Sequence, residues 1–165
     1  MDVEVAVRTQ RAIRRFTDEP VTDADLNAIL NAGRRAQSSK NTQPWRFVVV
    51  RERETLRRLS ECGRYAGHLA GANVAIGLVQ TDRRSAFDIG QAAALMMLVA
   101  WSRGIGSCIA SMHDSQRAKG VLSIPTDLDF RTAISFGRPV AEDVERPLQR
   151  GGRQPLSDLV HDERW

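Results

Sequence analysis

The chain has 165 residues, a formal net charge of +4, 42% apolar residues and 27% charged residues. That length suits one domain, residues 1–165, with a core of its own, and the composition excludes a disordered or fibrous chain. Lys40 and Lys119 are the only lysines, so the positive charge is nearly all arginine, interleaved with Asp and Glu and with only 5% aromatics; that is a solvated surface, and no nucleic-acid partner is expected.

The charge-free apolar run from Ile89 to Ser102 falls short of the roughly 20 residues a membrane-spanning helix needs. No charged segment followed by an apolar one opens the sequence, so no secretory signal is expected. Cys62 and Cys108 stand alone, without a disulfide framework. The expectation is a cytoplasmic protein without a membrane partner.

Residues 3–14 carry Val3, Ala6, Val7 and Ile13 against Arg8, Arg11 and Arg14, an amphipathic first helix that ends near Arg11. Thr22 to Asp25 approximates a capping box, followed by Leu26, Ile29, Leu30 and Gly33 at helical spacing. Gln37 to Pro44 is polar and turn-rich, and Arg46 to Val50 reads as a strand. A helix from Arg53 to Cys62 should turn Leu56 and Leu59 inward. Val74 to Val79 is a strand buried on both faces.

Ser85 to Ser102 is apolar nearly all round and predicts a central buried helix. Gly104 and Gly106 end it, and Cys108 to Ala110 is a short strand or an extended turn. Asp114 caps a helix reaching Leu122, Phe130 to Phe136 is another strand, and residues 142–165 read as an extended tail. Strands and helices interleave without a βαβ rhythm, so the fold class is α+β, a mixed or antiparallel sheet flanked by helices.

Several chemistries find no support. His68, His113 and His161 are far apart, and no metal-ligand spacing occurs. No nucleophile elbow, P-loop or dinucleotide fingerprint is present. What remains is three polar segments suited to a phosphorylated planar ligand. Arg11-Ala12-Ile13-Arg14-Arg15-Phe16 offers guanidiniums for a phosphate. Ser38-Ser39-Lys40-Asn41-Thr42-Gln43-Pro44-Trp45 offers hydroxyls and amides for the edge of a heterocycle, and the tail adds Arg150 and Arg153. Taken singly, each has an ordinary explanation: exposed arginines, a turn, a core tryptophan.

Taken together, and in this order, these segments resemble the nitroreductase family. The resemblance continues through Asp88-Ile89-Gly90-Gln91, Gly104-Ile105-Gly106-Ser107-Cys108, Gly137-Arg138-Pro139 and Pro155-Leu156 to Arg164-Trp165, and so spans nearly the whole chain. It implies an intertwined homodimer with FMN at the subunit interface, the tail of residues 142–165 reaching onto the partner subunit, and a ping-pong reaction. In that cycle NADPH or NADH reduces the flavin, and a nitroaromatic, a quinone or a similar flat small-molecule acceptor reoxidises it; the same fold also implies, as the alternative, another flavin reaction or flavin binding without catalysis.

By the same resemblance Arg11, the Ala12 main chain and Arg153 hold the FMN phosphate, with Arg150 helping. Arg14 lies by the phosphate or the N1–C2=O edge of the ring, and Arg15 shares either role. Ser38, Ser39 and Asn41 meet the ribityl chain and ring edge, with Asn41 serving the flavin of the partner subunit, and the main chain at Ser111 and Met112 faces N5 and O4. No side-chain acid or base is required, because the flavin carries the hydride chemistry. Gln10 and Ala12 depart from the family's phosphate-gripping pattern, and Arg64 and His68 give no clear match to its ring-edge residues. The short segment between Val79 and Ser85 implies an open acceptor pocket of low selectivity.

Overall fold

The computed structural model describes residues 1–82, 84–145 and 152–165. Its centre is a four-stranded antiparallel sheet of β1 (Trp45–Val50), β2 (Val74–Gln80), β3 (Gly106–Ser111) and β4 (Asp129–Gly137), in the order β1-β2-β4-β3. Helices α1 (Val3–Thr9), α2 (Asp23–Arg34), α3 (Arg53–Ser60), α4 (Ala86–Ser102), α5 (Ser115–Leu122) and α6 (Ala141–Glu145) surround it. This is the α+β class, with every strand pair antiparallel.

β2 is apolar on both sides because both sides are covered. Val74, Ile76 and Leu78 pack with Ile29, Ile89 and Met96 of α2 and α4, whereas Ala75 and Val79 pack with Leu56, Leu59 and Ala118 of α3 and α5. The period-2 alternation of a strand separates these two layers. Leu56 and Leu59 are fully buried, as their spacing requires. α2 and α4 approach closely at Gly33, where an added Cβ would fall 2.5 Å from the Met96 Cε.

The caps follow the sequence. The Thr22 hydroxyl accepts from the Asp25 N–H at 3.1 Å, and the Asp114 carboxylate accepts from the Arg117 N–H at 3.0 Å; each satisfies a donor that the first helical turn leaves unpaired. α1 stops at Thr9, before Arg11, and the chain then runs extended along the free edge of β3.

Two expectations change. α4 is not buried all round: Phe87, Ala94 and Leu95 form an apolar stripe that stays exposed among the described residues. Nor does the tail begin extended at 142, because residues 141–145 form α6, held by an ion pair between Asp143 and Arg15. Beyond it, residues 152–165 are all exposed and include a short 3₁₀ turn at Leu156–Asp158. No helix of the described residues is long and apolar enough to cross a membrane.

Candidate functional site

The free edge of β3 organises the site. The Ile13 N–H donates to the Ser107 carbonyl at 2.9 Å, forming a short parallel bridge between Ala12 and Ser107. Further on, the Thr17 N–H donates to the Arg138 carbonyl at 2.8 Å, and the Asn73 side chain bridges Thr17 and Arg138. Ile13 is fully buried against Ala6 and Trp101, whose indole N–H donates to the Thr9 hydroxyl at 2.9 Å. The arginines at 11 and 14 thus flank a residue that is locked into the core.

Beside this segment lies an open cleft of about 360 Å³, lined by Gln10, Arg11, Ala12, Arg14, Met97, Ser107, Cys108, Ile109 and Arg153. Such a volume falls in the range of small-molecule and cofactor sites. Among the described residues three guanidiniums border it and no carboxylate does, so its potential is positive and its chemistry is that of an anion site. Met97 and Ile109 supply an apolar wall. Burial pushes the Cys108 thiol up, against the pull of Arg14, so it remains a neutral thiol.

The antiparallel ladder leaves main-chain donors along the β3 edge, although neither Ser111 nor Met112 is among the residues lining the cleft. The Met112 N–H donates to the Arg131 carbonyl at 2.8 Å. By the alternation of such ladders, Cys108 and Ala110 also bond inward to β4, while Ser107, Ile109 and Ser111 direct their N–H and C=O groups outward. Of the two main-chain groups expected from the sequence, Ser111 therefore offers a free-edge N–H, and the Met112 N–H is already engaged. The turn after β3 is tied down by the Asp114 N–H donating to the Cys62 carbonyl at 2.9 Å and the Arg64 N–H donating to His113 Nδ1 at 3.2 Å.

Ser38, Ser39 and Asn41 are not among the residues lining this cleft. They lie on an exposed turn whose Ser39 N–H donates to the buried Asp88 carboxylate at 3.3 Å, in the first turn of α4. Met97, which does line the cleft, is nine residues further along α4, about 13 Å by helical rise. The Ser38 hydroxyl accepts from the Gln43 N–H at 3.0 Å. Within this turn Lys40, Asn41 and Gln43 have φ of 52°, 54° and 48°, a left-handed backbone that costs non-glycine residues free energy and clusters where a loop serves a ligand.

Arg15 does not enter the cleft: its guanidinium donates to Asp143 at 2.7 and 3.2 Å. Arg150 lies outside the described residues. Met97, Cys108 and Ile109 were invisible as site residues in the sequence, since their position follows from register and from which edge of the sheet stays open. Asp88 had no assigned role either, although it sits at the start of one of the segments quoted above.

Sequence comparison matches the family described as "Nitroreductase family" over residues 7–77 and 65–138. The chain belongs to the nitroreductase family. An Archaeoglobus fulgidus protein, provisionally named an NADH dehydrogenase/NAD(P)H nitroreductase, is 30% identical over 170 residues, covering 96% of each chain. Among solved structures, a provisionally named nitroreductase from Desulfovibrio desulfuricans, determined in complex with FMN, is 30% identical with a TM-score of 0.80, covering 100% of this chain and 98% of that one. A Parabacteroides distasonis structure, at 20% identity and TM-score 0.88 over 99% of this chain and 98% of that one, shows the same fold. As a nitroreductase, the chain has the family's fold with a basic cleft on its open sheet edge.

Proposed function

We propose that this protein is an FMN-dependent oxidoreductase that uses NAD(P)H to reduce flat, electron-poor acceptors such as nitroaromatics and quinones. The observation that carries the reading is the cleft that Arg11, Arg14 and Arg153 line together, beside an open strand edge and an apolar wall. A flavin nucleotide has the complementary parts: an anionic phosphate, a ring whose polar edge takes main-chain hydrogen bonds, and apolar faces. The FMN-bound relative at 30% identity supports the same cofactor.

On this reading Arg11, Arg153 and the Ala12 main chain grip the phosphate, while Arg14 faces the phosphate or the ring edge that gains negative charge on reduction. Arginine suits that position because it stays charged at any working pH. Ser111 offers its N–H to the ring, and Met97 and Ile109 exclude water from one side. Arg15 is left out of the site, since α6 holds it. FMN held there would supply the hydride-transfer chemistry between NAD(P)H and the acceptor.

Ser38, Ser39 and Asn41 serve the flavin of a partner subunit in a homodimer. The uncovered stripe of Phe87 and Leu95 and the exposed Leu156, Leu159 and Val160 of the tail support such an assembly. A cytoplasmic location and a single domain over residues 1–165 complete the reading.

The test is anaerobic addition of NADH or NADPH to the FMN-loaded protein. The yellow absorbance should bleach, and a nitroaromatic or quinone should restore it. A protein that retains FMN but is reduced by neither nucleotide would be a flavin-binding protein without this activity.

A further inference from the structure

The turn that carries Ser38, Ser39 and Asn41 is strained without being buried. Ser39, Lys40, Asn41, Thr42 and Gln43 are all exposed, and three of them have the left-handed φ values given above. Such a backbone persists only where its surroundings over-determine it. Inside the turn the Asn41 N–H donates to the Ser38 carbonyl at 2.9 Å and the Thr42 N–H to the Ser39 carbonyl at 3.1 Å. These local bonds shape the turn but do not fix it to the body of the protein.

Two side chains of α4 do. The Asp88 carboxylate accepts from the Ser39 N–H, and one turn further on the Gln91 amide donates to the Gln37 carbonyl, each at 3.3 Å. Residues 88 and 91 share a face of the helix, and that face borders the exposed stripe of Phe87, Ala94 and Leu95. The tie therefore runs along the surface assigned above to the partner subunit.

An aspartate at this place has an ordinary use that the fold does not make of it. Ser85 and Asp88 have the spacing of a capping box, in which the carboxylate reaches back to the Ser85 N–H. That N–H donates instead to the Asp82 carbonyl at 3.1 Å, and the Ser85 hydroxyl donates to the same carbonyl and caps nothing. The Asp88 carboxylate, on a residue only 8% exposed, is turned toward a main-chain donor 49 positions away.

We propose that Asp88 is a positioning residue for the flavin: with Gln91 it holds the turn of residues 37–43 in its strained form before any ligand arrives, so that Ser39 and Asn41 are already placed for the flavin they serve. The strain is then met in folding and not in binding, which is how preorganisation raises affinity. The proposal rests on the reading of that turn as part of the FMN site.

The experiment compares FMN affinities of the full chain as wild type, Asp88→Ala, Asp88→Asn, Asn41→Gly and the Asp88→Ala/Asn41→Gly pair. Alanine removes the acceptor of a charge-assisted bond, so FMN should bind about tenfold more weakly. Asparagine keeps an acceptor oxygen without the charge, and affinity should return close to that of the wild type. A carboxylate that served only the helix N-terminus through its charge would be missed equally in both variants. Because Asp88 acts through the turn, its loss and that of Asn41 should not multiply, and the pair should bind about as weakly as the weaker single variant.

A second measurement, hydrogen exchange at the Ser39 amide of the wild type, does not depend on a variant folding. The amide should exchange slowly already in the absence of FMN. Unchanged affinity in Asp88→Ala, equal losses in Asp88→Ala and Asp88→Asn, losses that multiply in the pair, or a Ser39 amide protected only once FMN is bound each overturn the proposal and leave the phosphate cleft standing. An Asn41→Gly variant that binds FMN as tightly as the wild type removes the turn from the site and the proposal with it. A wild type that binds no FMN overturns the flavin reading as well.

Discussion

Gly106 and Ile13 are in such close contact that no side chain fits at 106: a Cβ there would fall 2.6 Å from the Ile13 Cβ and 2.7 and 2.8 Å from its two γ carbons. Ile13 cannot yield, because it is β-branched and fully buried. The contact sets the distance between β3 and the arginine-bearing segment, so it sets the width of the cleft. Gly106→Ala should destabilise the fold by about 1–3 kcal/mol through overpacking and weaken FMN retention as well. Thermal denaturation and FMN titration check the two effects; an unchanged midpoint would show that the segment moves aside freely.

The strained turn gives a second prediction. Lys40 and Asn41 hold a left-handed backbone that glycine adopts without cost. Lys40→Gly should leave stability unchanged or raise it by up to about 1 kcal/mol, with turnover retained. Asn41→Gly should be equally well folded but impaired in turnover, because it removes a side chain assigned to the flavin. Turnover unchanged in Asn41→Gly would remove that residue from the site.

Arg15 is expected to act on the tail and not on the cofactor. It is 62% exposed on its side chain and pairs with the buried Asp143, so solvent screens the pair and it adds little to stability. Arg15→Ala should leave FMN affinity within about twofold while speeding proteolysis of the chain after α6. A loss of affinity comparable to that of Arg11→Ala would return Arg15 to the cleft.

Acid stability should depend on Asp25. This carboxylate is buried between Arg103, at 2.7 Å, and Arg138, at 3.0 Å, and the Arg103 hydrogen bond foremost, with Thr22 and Arg138, holds it below the usual carboxylate range despite burial. A depressed folded-state value means stability that is present above the unfolded value near pH 4 and is lost as pH falls through the folded one. The stability difference between wild type and Asp25→Asn should therefore be full at pH 7 and shrink below about pH 4. Denaturant melts across that range test it, and a difference independent of pH would contradict it.

Much of the fold could be read from the sequence because local signals and burial agreed. Thr22 and Asp114 cap the helices they precede, Leu56 and Leu59 turn inward, and β2 is apolar because helices cover both its faces. α4 misled for a physical reason: an apolar surface looks the same whether this chain covers it or something else must. α6 was missed because five residues, three of them acidic, carry little periodicity, and its anchor is a contact between Arg15 and Asp143, 128 positions apart. The arginines of the cleft were legible as a motif. Met97, Ile109 and the outward main chain of Ser111 were not, since they depend on strand order and ladder register, which no local pattern encodes.

The central claim is that the arginine-lined cleft grips the phosphate of FMN. The most direct measurement compares the affinities of FMN and riboflavin, which differ only by that phosphate, for the wild type and for Arg11→Ala. Charge-assisted hydrogen bonds contribute about 1.5–3 kcal/mol each, so FMN should bind the wild type at least about a hundredfold more tightly than riboflavin, and Arg11→Ala should narrow the gap by about tenfold or more. Equal affinity for the two flavins in the wild type would mean that the cleft holds no phosphate and would contradict the account.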